Sequence, residues 1–306
     1  MLSNNLRNCT LCPRECGVDR TKGENGYCRL DDKIYISSIC IHKGEEPPVS
    51  GDKGICNVFF SHCNMQCVYC QNHQISDNSS PADKYRITLE SAVNKISAIL
   101  ETGIPALGFV SPTHQIPQML AIIDELHKRS YKPIIVYNSN GYDKAETLKE
   151  LEGIVDVYLP DFKYSDPVLS DEFSDTPDYP RTSMMAIKEM YRQKGASVII
   201  DSSGYARSGL IIRHLVLPGA VENSLAVLRT IAEEISPEVH ISLMSQYYPP
   251  RHFDRRELNE MINADDYLRV TDEMEKLGLE NGWLQEYGSS DNYRPDFNKD
   301  HPFEDK

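Results

Sequence analysis

A six-residue β-rich run, Ile55–Phe60, leads almost directly into Cys63, Cys67 and Cys70, and this junction limits the folds open to the chain more than any other feature. A short apolar run bounded by turn residues reads as a buried strand. The C-x3-C-x2-C spacing then places three thiolates in one tight loop at the strand's carboxyl end, where α/β barrels assemble their active sites. Four irons held by three cysteines leave one iron open to a small-molecule ligand, which suits catalysis better than plain electron transfer. A closed zinc knot would use the same loop differently, recruiting Cys56, His62 or His73 as a fourth ligand.

Further β-rich runs follow at 106–110, 133–138, 155–159, 210–217 and 239–244. Between them, apolar residues recur at helical spacing over 89–100, after Thr88 as a cap, and over 116–126, 221–235 and 265–277, with Gly278 as a stop. Strand and helix alternating in this way imply parallel strands. With no GxGxxG turn opening the first helix, the pattern predicts a partial (β/α)6 TIM-like barrel rather than a dinucleotide-binding sheet. The expected organisation is a small cysteine-rich N-terminal module over 1–50, the barrel over 51–288 and a mobile polar tail over 289–306. The module is loop-rich and ends in the Pro- and Gly-rich segment GEEPPVSGDKG. The tail has too few apolar residues to offset its ordering entropy.

A formal charge of −14 with no Lys/Arg cluster argues against a general nucleic-acid partner. No stretch has the length and apolarity of a membrane span and the N-terminus lacks the apolar core of a secretion signal, so a soluble, cytoplasmic protein is expected. Nine cysteines, seven of them within Cys9 to Cys28 and Cys63 to Cys70, favour metal ligands over a disulfide framework in that compartment. Cys9, Cys12, Cys16 and Cys28 offer four thiolates, enough for a second metal, either tetrahedral zinc or an iron–sulfur cluster.

The triad after the first strand, with Tyr69 just before its last cysteine, resembles the radical S-adenosylmethionine superfamily. The resemblance implies a 4Fe-4S cluster on Cys63, Cys67 and Cys70 whose open iron binds S-adenosylmethionine, and reductive cleavage of that cofactor to a hydrogen-abstracting 5′-deoxyadenosyl radical. More locally, the chain from the triad to about residue 287 is similar to proteins related to pyruvate formate-lyase activating enzyme, and the N-terminal cysteine module matches a subgroup of them.

This similarity assigns cofactor contacts to Tyr69, to the Asn138-Ser139 loop, to Asp161 and Lys163 in an Asp-Phe-Lys segment, and to Arg213, whose guanidinium suits a carboxylate. Where relatives carry Gly-Gly-Glu, this chain has Ser111-Pro112-Thr113-His114, so hydroxyls at Ser111 or Thr113 are the expected acceptors for an ammonium group. An electron donor such as flavodoxin or ferredoxin is implied. The substrate is either a glycyl-radical enzyme to be activated or a peptide or small molecule to be matured; a non-catalytic zinc or iron–sulfur protein is the alternative of another class.

Overall fold

The computed structural model describes residues 5–289, 294–299 and 301–303. Its strands are β1 (Ile34–His42), β2 (Ile55–Phe60), β3 (Arg86–Ile87), β4 (Ala106–Val110), β5 (Ile134–Ser139), β6 (Val157–Pro160), β7 (Ile199–Ile200), β8 (Ala206–Leu215), β9 (His240–Met244) and β10 (Gly282–Leu284). The helices are α1 (Pro47–Ser50), α2 (His73–Ser76), α3 (Leu89–Leu100), α4 (Ile116–Lys128), α5 (Ala145–Lys149), α6 (Pro167–Ser174), α7 (Tyr179–Lys194), α8 (Val221–Glu234) and α9 (Ala264–Lys276). None of these helices is long and apolar enough to cross a membrane.

All ten strands form one sheet in the order β3-β1-β2-β4-β5-β6-β8-β9-β10, with β7 paired to β8. Pairing from β2 through β10 is parallel, so the sheet is an open, TIM-like partial barrel. The six expected strands are present and β10 adds a seventh to the parallel series. Three residues beginning with glycine carry too little periodicity to announce a strand.

Strand alternation divides the buried residues into two sets. Cys56, Val58, Phe60, Leu107 and Phe109 face the helices, where they join Val93, Ile96, Met119, Ile123 and Leu126. Ile55, Ala106, Ile134, Val136, Val157, Leu159 and Ile211 face the barrel interior. Strands covered on both faces read as near-continuous apolar runs, which is why they were legible. Thr88 caps α3 by accepting from Ser91 N at 3.1 Å. Thr88→Ala is expected to lower stability by about 1 kcal/mol in urea unfolding.

The N-terminal segment departs from the loop-rich expectation. Residues Ile34–His42 are a nine-residue strand, β1, paired antiparallel to β2 on one side and to the two-residue β3 on the other. Within GEEPPVSGDKG, two prolines at the first helical positions begin α1, where a missing N–H costs nothing. Val49 of α1 packs among the interior strand residues, so this segment plugs the barrel from within.

The described part of the tail places two aromatic rings against the sheet. Phe297 lies edge-on to Phe59 with ring centroids 5.2 Å apart, and Phe303 lies 4.2 Å from His42. Mean polarity concealed these two aromatic anchors, each able to bury a large apolar area.

Candidate active site

The cavity at the carboxyl ends of the parallel strands is lined by Cys63, Cys67 and Cys70, and on its other walls by Glu45, Ser111, Asn138, Ser139, Asp161, Lys163, Arg213 and Met244. Each triad sulfur accepts a hydrogen bond. Cys63 Sγ takes them from Met65 N and Asn140 Nδ2, both at 3.3 Å, Cys67 Sγ from Ser174 Oγ at 3.0 Å, and Cys70 Sγ from Ser76 Oγ at 3.2 Å. Burial pushes the Cys63 thiol up to about 12 and the Cys67 thiol to about 11, the latter against the pull of Lys163. Thiolates therefore form here in company with a cation, and donors already aimed at all three sulfurs are what a thiolate-bound iron–sulfur cluster requires.

Asp161 and Lys163 flank the buried Phe162 and form an ion pair at 2.5 Å. Burial disfavours the Lys163 ammonium, but Asp161 and Cys67 outweigh it and hold its pKa above the ordinary lysine value. The turn after β5 abuts the segment after β6. A Cβ on Gly141 would stand 2.0 Å from Asp161 O, and the Tyr179 hydroxyl lies 2.9 Å from the carbonyls of both Asn140 and Asp161. Gly141 at φ +81 and Tyr179 from α7 thus set the spacing between the two walls. Tyr179 gave no sequence signal, because nothing in its helix marks a residue reaching another loop.

The floor of the cavity comes from the plug. Glu45 accepts from Arg213 Nη1 at 2.9 Å, from Asn57 Nδ2 at 2.8 Å and from Asn138 Nδ2 at 3.3 Å. Burial opposes ionisation of Glu45, yet Arg213 and His42 hold its carboxyl below the usual range. Glu46 stands 3.5 Å from Arg213 Nε and Asp161 3.9 Å from it, so one guanidinium serves three carboxylates. Gly108 leaves room for this floor, since a Cβ there would lie 2.1 Å from Asn57 Oδ1.

Of the residues expected to hold a cofactor, Tyr69, Ser111, Asn138, Ser139, Asp161, Lys163 and Arg213 line the cavity, and Thr113 does not. Ser111 turns the chain at φ +52, which sends Thr113 beneath the wall to hydrogen-bond Asp143 at 2.7 Å. The Tyr69 hydroxyl is committed to Tyr164 at 2.6 Å, so that residue offers ring surface to the cavity. His114 is likewise buried, 2.9 Å from Ser61 O.

His214, beside Arg213, faces the helices and bonds Phe162 O at 2.7 Å and Ser224 Oγ at 2.8 Å. Burial lowers its pKa from 6.5 to about 4. The unfolded ring takes up a proton as pH falls through its ordinary value, whereas the folded ring stays neutral, so this contribution is intact above 6.5 and declines toward 4. The expected loss reaches about 3 kcal/mol at the acid end, and His214→Gln should flatten that part of the stability–pH curve.

Residues 57–200 match the family model of the radical SAM superfamily. A protein of Methanocaldococcus jannaschii, MJ0674, is 26% identical over 284 residues, 90% of this chain and 77% of that one. Among solved structures, HydG, a maturase of the [FeFe]-hydrogenase, superposes with a TM-score of 0.50 at 12% identity, covering 78% of this chain and 53% of its own. Streptococcus suis SuiB bound to the precursor peptide SuiA gives a TM-score of 0.49 at 11% identity, with 74% and 47% covered. This chain thus spans about half the length of those two structures. At such identities the likeness to HydG is one of fold.

Proposed function

This chain belongs to the radical SAM superfamily, and from that premise we propose that it cleaves S-adenosylmethionine reductively at a 4Fe-4S cluster held by Cys63, Cys67 and Cys70, in order to activate a glycyl-radical protein. The observation that carries the reading is the convergence of three hydrogen-bonded sulfurs with Asp161, Lys163 and Arg213 on one cavity. When bound, the cluster supplies the electron that breaks a sulfonium C–S bond, giving methionine and a 5′-deoxyadenosyl radical.

The chain's own residues hold and shield the reactants. Arg213 suits the methionyl carboxylate, to which a guanidinium presents two parallel donors. Asp161 and the carbonyls of the Ser111 turn are acceptors for the ammonium group and the ribose hydroxyls, while Asn138 offers an amide to either. Ser139 spends its hydroxyl on Asp143 and so shapes the turn instead. Flavodoxin or ferredoxin is the proposed electron donor. Cys9, Cys12, Cys16 and Cys28 are taken as ligands of a second metal.

The glycyl-radical assignment is supported by the Asp161-Phe162-Lys163 segment and by the N-terminal cysteines, the features similar to activase relatives. Its test is anaerobic reconstitution with iron and sulfide, reduction with dithionite, and measurement of 5′-deoxyadenosine formed from S-adenosylmethionine. Formation is expected, with deuterium entering it from a glycyl-radical protein labelled at glycine. A fully iron-loaded protein that forms none would refute radical chemistry; label arriving from peptides or metabolites instead would make the protein a maturase.

A further inference from the structure

Behind the triad loop lies a second, smaller cavity, lined by Cys9, Cys12, Cys16 and Cys28 together with Arg14, Arg20, Asn64 and His114. One of its sulfurs already accepts a backbone amide, Cys16 from Tyr27 N at 3.2 Å. An amide turned onto sulfur is the arrangement that surrounds metal-bound cysteines.

The charge beside them is an independent observation. Arg20 is 1% exposed, and its guanidinium donates only to carbonyls, to Asp31 O at 3.1 and 2.8 Å and to His114 O at 2.8 Å. No carboxylate among the described residues is paired with it. An uncompensated buried guanidinium costs several kcal/mol. Arg20 shares the lining of this cavity with all four cysteines.

We infer that Cys9, Cys12, Cys16 and Cys28 hold a metal centre of net charge minus two, balanced by Arg20, that clamps the loop carrying Cys63. Four thiolates around a divalent ion, or around an oxidised 4Fe-4S core, both leave this charge. Among the described residues no three such side chains already close on a single point, so binding either draws the sulfurs together or fills the space between them with a larger inorganic core.

The clamp follows from two bridges. Cys28 O is 2.8 Å from His62 Nδ1, the residue preceding Cys63. Tyr27 O accepts from Asn78 Nδ2 at 3.0 Å, and Asn78 in turn accepts from Cys63 N at 3.0 Å and donates to Cys63 O at 2.9 Å. Ligands at Cys16 and Cys28 therefore fix the peptide between them, and that peptide fixes Cys63. This deepens the second-metal reading and stands apart from radical chemistry, so the two can fail separately.

The test is metal and sulfide analysis, with X-ray absorption, of the Cys63→Ala/Cys67→Ala/Cys70→Ala variant purified without oxygen from cells supplied with zinc and iron. Expected is metal in an all-sulfur environment, lost when Cys12→Ser and Cys28→Ser are added; zinc alone identifies a single ion, iron with equal sulfide a cubane. A folded triple variant free of metal would overturn the inference. Should that variant not fold, the reconstituted wild type decides, because iron for one cubane and no further metal would overturn it equally. With the triad intact, Cys12→Ser/Cys28→Ser should speed amide exchange at Cys63 about tenfold, and unchanged exchange would remove the clamp.

Discussion

Cys67→Ala is expected to lose the iron–sulfur absorbance after reconstitution and to lower 5′-deoxyadenosine formation by about three orders of magnitude or more, to the rate without a bound cluster. Cys67 is the middle ligand of the triad and only half-buried, so removing its sulfur takes away a metal bond while disturbing little packing. Urea unfolding of the metal-free forms should therefore move by less than about 1 kcal/mol. Ser174→Ala provides the contrast. It removes the hydroxyl that donates to the same sulfur but keeps the ligand, so the cluster should assemble and activity should fall about 10- to 100-fold. Equal activity in Cys67→Ala and wild type would exclude the triad from catalysis.

Arg213→Met should be the most destabilising change in the floor, costing about 3–5 kcal/mol in urea unfolding. Methionine approximates the length of the arginine stem, so the loss reports charge more than volume. Without the guanidinium, Glu45 keeps only amide partners and Glu46, whose Oε2 already has no hydrogen-bond partner, is left unbalanced. Adding Glu45→Gln removes one of these charges and should recover at least about 1 kcal/mol. A double variant no more stable than Arg213→Met would mean that the pair contributes packing alone.

The portions of this architecture that could be read in advance are local in sequence. The triad fits in eight residues, Thr88 sits beside the helix it caps, and each of the six expected parallel strands carries its apolar run within itself. Glu45 could not be found that way, because its importance lies in Arg213, 168 residues onward, and its own surroundings spell a proline-rich loop. Thr113 misled for the opposite reason. It stands just past a strand end, as a ligand-binding hydroxyl would, but the left-handed turn at Ser111 sends it under the wall. Strand β1 was obscured because its burial is mixed, with half-buried residues among buried ones, and no clean period results.

The plug has a consequence for how the molecule is made. Glu45 is synthesised before β2 exists, yet its principal partner arrives only with β8. Closing so long a span pays loop entropy that nearby contacts do not pay, and topologies dominated by such contacts fold slowly. During synthesis the acidic GEEPP segment and the triad loop therefore emerge while the strand carrying Arg213 is still missing. The floor completes late, and until it does the nascent chain carries its cysteines with neither a closed barrel nor a balancing guanidinium around them.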